Sequence, residues 1–296
     1  MHNSNFKTKK AHYIVREKCK GIIVKINLIK IFVYMLFMSV CIMSMAQAAE
    51  LDKKVSSLID KSGLKSMIDF IPPQIQSQIT QMRITQPNSE EVEFASKTLF
   101  KYITVDAMQK KYQSYMVSNL GLELVDSVLK ISNKPLFDRI TEAEIAASDP
   151  NTQGEMVTFI TELMSNSPSK ERIEIMQRIE DVSQSSALIK YMLEKIMVGM
   201  SDTFATSESR DKEVSNDIEQ MKSMVDNQMK QQMILQFHYV YRDFSDSELN
   251  EYIGLLNSVD FQKFMIVAVN GIGHILLDAF QKGAAELKAL RTAKAA

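Results

Sequence analysis

The sequence predicts an all-α protein: a multi-helix bundle behind an N-terminal export signal. Three observations predict it. Apolar residues recur at three- and four-residue spacing through almost every segment after residue 50, the pattern of a helix that buries one face. No segment alternates apolar and polar residues between hairpin turns, so no sheet is expected. Both cysteines, Cys19 and Cys41, stand near the N-terminus. The remainder must therefore be held by its core without a disulfide, and about 250 residues suffice to build one.

The first element is the leader. Eight lysines and arginines against the single acid Glu17 precede the uncharged run from Ile31 to Met45, and Ala46-Gln47-Ala48 follows. A basic start, an apolar core and a small-x-small end are the parts of a secretory signal peptide. A run of 15 residues falls short of the roughly 20 that span a bilayer. Cleavage after Ala48 is expected, giving a signal peptide over 1–48, a helical domain over 49–296 and a periplasmic location. Val40 before Cys41 is too bulky for a lipoprotein signal. Without the leader, 27 basic and 35 acidic residues remain. A net charge of that sign gives no general attraction for nucleic acid or anionic lipid. Contact with the membrane is expected only through the signal segment.

The helices follow in order. Leu51, Val55, Leu58 and Ile59 share a face, and Gly63 stops the first helix. Leu64, Met67, Ile68, Ile71, Ile75 and Ile79 mark a second, which Pro72-Pro73 should kink or split. Pro87-Asn88-Ser89 opens a third through Val92, Phe94, Leu99 and Phe100. Thr104 caps a fourth, ending at Asn119. Ser148–Gly154 and Ser165–Ser169 read as loops, with Ser167 as N-cap and Pro168 at the first helical position. Residues 208–242 read as one long charged helix lined by Met221, Met224, Met229 and Met233. Phe264–Leu277 lacks formal charges and reads as a buried central helix; the basic, alanine-rich end should fray.

The stretch at 244–249, Phe-Ser-Asp-Ser-Glu-Leu, reads as a helix start. With Ser245 as N-cap, its hydroxyl accepts the Glu248 N–H while the Glu248 carboxylate reaches back to the Ser245 N–H, forming a capping box. Phe244 and Leu249 are placed for the hydrophobic staple. The helix should bury Leu249, Tyr252, Ile253 and Leu256 and end at Asn257-Ser258, with Phe261, Phe264 and Met265 opening the next stripe. A similar order of residues occurs earlier. Shifted by 124 positions, Tyr115 falls on Tyr239, Leu120 on Phe244, Val125 on Leu249, Asn133 on Asn257 and Phe137 on Phe261. Ile59-Asp60 matches Ile179-Glu180 at a shift of 120. A tandem of two similar helical units, 49–150 and 168–290, is the arrangement this suggests. In the first unit Gly121 takes the cap position and Leu124 stands where Glu248 does. Phe137 and Phe261 should occupy equivalent buried places.

Tyr241-Arg242-Asp243-Phe244-Ser245-Asp246-Ser247-Glu248-Leu249, with Leu255-Leu256-Asn257-Ser258 and Lys263-Phe264 beyond it, resembles the core of a bacterial exported family of unknown function. That family's pattern is an aromatic residue, then Phe-Ser/Thr-x-x-Glu-Leu, then an aromatic-rich helix ending Ser-Pro-x-Gly-x-Lys. Residues 51–83 resemble its usual start. Val259 stands where proline is common and Phe261 where glycine is common. The resemblance implies a periplasmic helical protein and carries no activity with it.

Candidate chemistry is sparse. His238 lies near Tyr241 and Arg242 but has no nucleophile partner in a Gly-x-Ser-x-Gly turn. His274 and Asp278 share a helix face, which is half of a metal site without a third ligand. The chain is methionine-rich, with 20 in all. Thioethers bind Cu(I), yet at helical spacing they fill cores or form adaptable contact surfaces. No cofactor is expected, and no residue is assigned to catalysis or metal. The reading is a non-enzymatic periplasmic interaction module that binds an envelope protein or peptide. The alternatives are a carrier of a lipid or other hydrophobic small molecule, and an enzyme whose site the sequence conceals.

Overall fold

The computed structural model describes residues 47–85, 90–204 and 228–295. It divides into two units, Met1–Leu51 and Asp52–Ala296. Of the first, residues 47–51 are described, as the opening turn of a helix (α1) over 47–61. The second is an all-α, multi-helix bundle with no strand among the described residues.

α1 stops at Gly63, whose φ of +72° is the left-handed conformation glycine adopts at least cost. α2 runs over Leu64–Thr85 as one helix with Pro72 and Pro73 inside it. The expected split does not occur. Ile68, Ile71, Ile75 and Ile79 are all buried, and burying that stripe on both sides of the prolines outweighs the lost backbone bonds. α3 (Glu90–Leu99) leads to α4 (Val105–Asn119). Thr104 caps α4 as expected, its hydroxyl accepting the Ala107 N–H at 3.3 Å. α5 (Leu122–Ser132) starts at Gly121, and α6 (Pro135–Ala147) has its proline at the first position, where no N–H is required. The expected loop at 148–154 contains a 3₁₀ turn, Pro150–Thr152, running into α7 (Gln153–Ser165).

α8 (Lys170–Ser183) is capped by Ser169 rather than Ser167, with the Arg172 N–H on the Ser169 hydroxyl at 3.1 Å. Pro168 therefore lies outside the helix. Gln184, at φ +51°, turns the chain into α9 (Ser185–Phe204). Of the long helix expected at 208–242, residues 228–240 are helical (α10), and 208–227 lie outside the described residues with Met221 and Met224. Met229 and Met233 are half-buried. α11 (Asp246–Leu256) buries Leu249, Tyr252, Leu255 and Leu256. Leu255 takes the place expected for Ile253, which is half-buried.

α12 (Val259–Ala295) is the central helix. Phe261, Phe264, Ala268, Ile272, Leu276 and Phe280 are buried along it, and it packs against α3, α4, α5, α9 and α11. Val259–Ala289 is long and apolar enough to cross a membrane by length and composition, but half of its most apolar window is buried inside the fold. Close approach of α4 explains Gly271: a Cβ there would lie 2.8 Å from a Tyr112 ring carbon and 2.9 Å from one of Tyr115. Helix continues through Ala295.

Helix bounds recur. α5 and α11 span 122–132 and 246–256, and α6 and α12 begin at 135 and 259. Their junctions have the same backbone: Asn133 at φ −84°, ψ 2° and Asn257 at φ −80°, ψ 0°. α6 packs on α11, and α12 packs on α5.

Candidate functional site

The residues singled out at 244–249 build one helix start. Both halves of the capping box form: the Glu248 N–H donates to the Ser245 hydroxyl at 3.3 Å, and the Ser245 N–H donates to Glu248 Oε2 at 2.8 Å. Phe244 and Leu249 are buried, as a staple requires. A contact from outside the helix joins them. Arg139 on α6 donates to Glu248 Oε1 at 2.7 Å and lies over the Phe244 ring. The Ser245 N–H, then its hydroxyl, then Arg139 hold the Glu248 pKa down at about 2. The box therefore also ties α11 to α6.

Beneath it runs a string of aromatic rings. Phe137 meets Tyr252 at 5.9 Å and Phe261 at 5.7 Å between centroids, both edge to face, and Phe261 meets Phe264. Tyr252 and Tyr241 are 6.1 Å apart. Both phenols donate to Glu144 Oε1, at 2.7 Å from Tyr241 and 3.0 Å from Tyr252. Burial raises the Glu144 pKa, and the two phenol hydrogen bonds counter this only in part. Burial and then the Glu144 charge push both tyrosines well up. The cluster joins the end of α6 to α11 and to the turn after α10.

On the other side of Tyr241 and Phe244 lies an open pocket of about 430 Å³. Phe159 and Leu163 from α7, Pro168 and Phe244 form its apolar wall; Ser169, Arg172, His238, Arg242, Ser245 and Asp246 form the polar one. Two helices start there, since Ser169 caps α8 and Ser245 caps α11. Arg172 is fixed by donating to Tyr241 O at 2.7 Å, Phe244 O at 2.9 Å and Asp246 Oδ1 at 2.7 Å. Arg242 lies 4.1 Å over the Tyr239 ring and donates to Glu155 at 3.2 Å. His238 is 5% exposed. Burial, then the Arg172 charge, lower its pKa, so the imidazole is neutral at pH 7. α7 carries Met156, Val157, Phe159, Ile160, Leu163 and Met164 yet buries none of its residues.

Of the pocket's lining, sequence reasoning singled out Phe244 and Ser245 as a helix start and weighed His238 beside Arg242, and it missed Arg172, Glu144 and α7. Arg172 sits in the first turn of α8 and Glu144 in the last turn of α6, each at the helix end where the dipole disfavours its charge. That misplacement was the available signal. The half metal site is not assembled: His274 is exposed and packs on Tyr115 at 5.1 Å, while Asp278 pairs with Lys111 and Lys282. Among the described residues no group of three His, Cys, Asp or Glu side chains could hold a metal ion. No family model, curated protein or solved structure matches the chain.

Proposed function

We propose that this chain is an exported, non-enzymatic interaction module that binds an envelope protein or peptide. The observation that carries the reading is the open pocket with α7 as its wall. On α7, Val157 and Met164 are exposed and Met156, Phe159, Ile160 and Leu163 only half-buried, a surface that a partner can cover. A pocket that is open and more than half polar suits the end of a macromolecule better than a lipid, which needs an enclosed apolar chamber. The leader supports export, and so does the resemblance to an exported family. Intact-mass analysis of the periplasmic fraction should give a product beginning at Ala49; a full-length product held in the membrane would sink the export claim.

The bundle is, on this proposal, a tandem of two helical units. Its support is the 124-residue offset of α5–α6 and α11–α12 with matching junctions. The only two positive-φ residues among those described, Gly63 and Gln184, add to it. Each turns one helix into the next, 121 positions apart, one more than the 120 read from the isoleucines. α7 then lies between the units.

The test is a photo-crosslinker at Val157, which is 59% exposed, activated in intact cells. A discrete protein adduct is expected, and it should be lost when Phe159 and Leu163 are both changed to serine. Adducts to lipid alone would favour the carrier and refute the module.

A further inference from the structure

We propose that the pocket between α7 and the starts of α8 and α11 receives a free C-terminal carboxylate borne on an apolar residue. The partner's chain would thus end in this site. The inference rests on the interaction-module reading and says which part of the partner is read.

The polar wall is rich in donors. A guanidinium has five N–H groups; Arg172 spends three on Tyr241 O, Phe244 O and Asp246. Those three bonds fix its position, and two donors remain. His238 lines the pocket at 5% exposure, and its ring makes no hydrogen bond among the described residues. A neutral imidazole carries one N–H, and at the wall of a cleft it can donate to an acceptor. The N-terminal turns of α8 and α11 add the positive ends of two dipoles, with first-turn N–H groups that have no intrahelical partner.

The fixed charges set the ligand's valence. Asp246 balances Arg172 at 2.7 Å, and Glu155 balances Arg242 at 3.2 Å. No surplus of cations remains for a doubly charged phosphate. A carboxylate brings one uncompensated charge where a phosphate would bring two, and its two acceptor atoms face the spare donors and the two helix starts. The apolar wall decides what carries it. Phe159, Leu163 and Phe244 face the same space, so the group beside the carboxylate is apolar. A last residue with an aliphatic or aromatic side chain meets both requirements. The open side lets the preceding chain leave.

The experiment is fluorescence anisotropy on the full chain. The probes are five labelled hexapeptides ending in Val, Leu, Ile, Phe or Met, each as free acid and as C-terminal amide. A further set of amides carries glutamate at the fifth position. At least one free acid should bind about tenfold or more tighter than its amide, as expected when charge-assisted hydrogen bonds are lost. His238→Leu should weaken that peptide about tenfold with unchanged circular dichroism, while His238→Gln, which keeps a donor, should stay within about threefold. Phe159→Ala should weaken it as well.

Equal binding of acid and amide, no binding by any of the five acids, or an unaffected His238→Leu variant would each overturn the proposal. So would equal binding of the internal glutamate amides, which would make the ligand a side-chain carboxylate. Octanoate displacing the peptide at the same concentration would make it a lipid acid, with the same result. A Val157 adduct that the free acids do not displace removes this proposal and leaves the module standing. Free-acid binding without any envelope adduct supports the terminal-carboxylate site and counts against the module.

Discussion

Phe137→Ala and Phe261→Ala test how the aromatic string holds α6 against α12. Both rings are buried, at 3% and 4% exposure, and meet edge to face at 5.7 Å. Truncating a fully buried Phe costs about 3–5 kcal/mol, the lost transfer energy plus the cavity left behind. Independent sites would add, giving about 6–10 kcal/mol for the double variant. The rings touch, so the first truncation already strips part of the second's contact. An aromatic pair of this geometry contributes about 0.5–1.5 kcal/mol beyond its burial, and the two cavities merge. The double variant should therefore fall short of the sum by at least that amount. Urea unfolding followed by far-ultraviolet circular dichroism measures all four proteins. Phe→Leu replacements, which leave smaller cavities, keep the cycle measurable if the double alanine variant does not fold. Additivity to within about 0.3 kcal/mol, or single losses near zero, would refute the packing argument and remove a main support for equivalent places in two units.

Other perturbations probe the contacts around the string. Ser245→Ala should cost about 0.5–2 kcal/mol as a lost N-cap. Glu248→Gln keeps the backward acceptor but loses the charge that faces Arg139, so its melting temperature should lie between wild type and Glu248→Ala. The Glu248 pKa is depressed to about 2 from 4.5, so its stabilisation is present above about pH 4.5 and is lost as pH falls toward 2. The gap between wild type and Glu248→Gln should narrow over that range; a gap independent of pH would contradict the assignment. Glu144 has the opposite sign. Its raised pKa makes its contribution greatest below the usual carboxylate value and lost as pH rises through the folded one. Glu144→Gln, which can still accept from both phenols, should match or exceed wild-type stability at pH 7 and flatten the acid side of the profile. A less stable variant with an unchanged profile would count against the buried carboxylate. Gly271→Ala gains roughly 0.5–1 kcal/mol of helix propensity, but its Cβ would lie 2.8 Å from Tyr112. Overpacking costs about 1–3 kcal/mol, so thermal melts should show net destabilisation.

The sequence by itself determined what short-range physics controls. Helix period placed the helices, and Thr104, Gly121 and Ser245 with Glu248 placed starts within one turn of chain, because a cap is satisfied by atoms three residues away. Burial of Phe137, Phe244, Leu249 and Phe261 was legible for the same reason. Tertiary structure decided the rest. Ser167 and Ser169 are equivalent as local caps, and only the docking of α8 beside α11, with Arg172 donating to Tyr241, Phe244 and Asp246, selects the second. Pro72 and Pro73 should break a helix considered alone; burial of the isoleucines around them keeps α2 continuous. Leu255 and Ile253 lie two positions apart on α11, and the placement of the neighbouring helices sets which is covered. The pocket draws on α7, α8, the end of α10 and the start of α11, residues 159 to 246. No local pattern links groups so far apart in the chain, because what joins them is the packing of helices on a shared core, and that energy exists only once the core has formed.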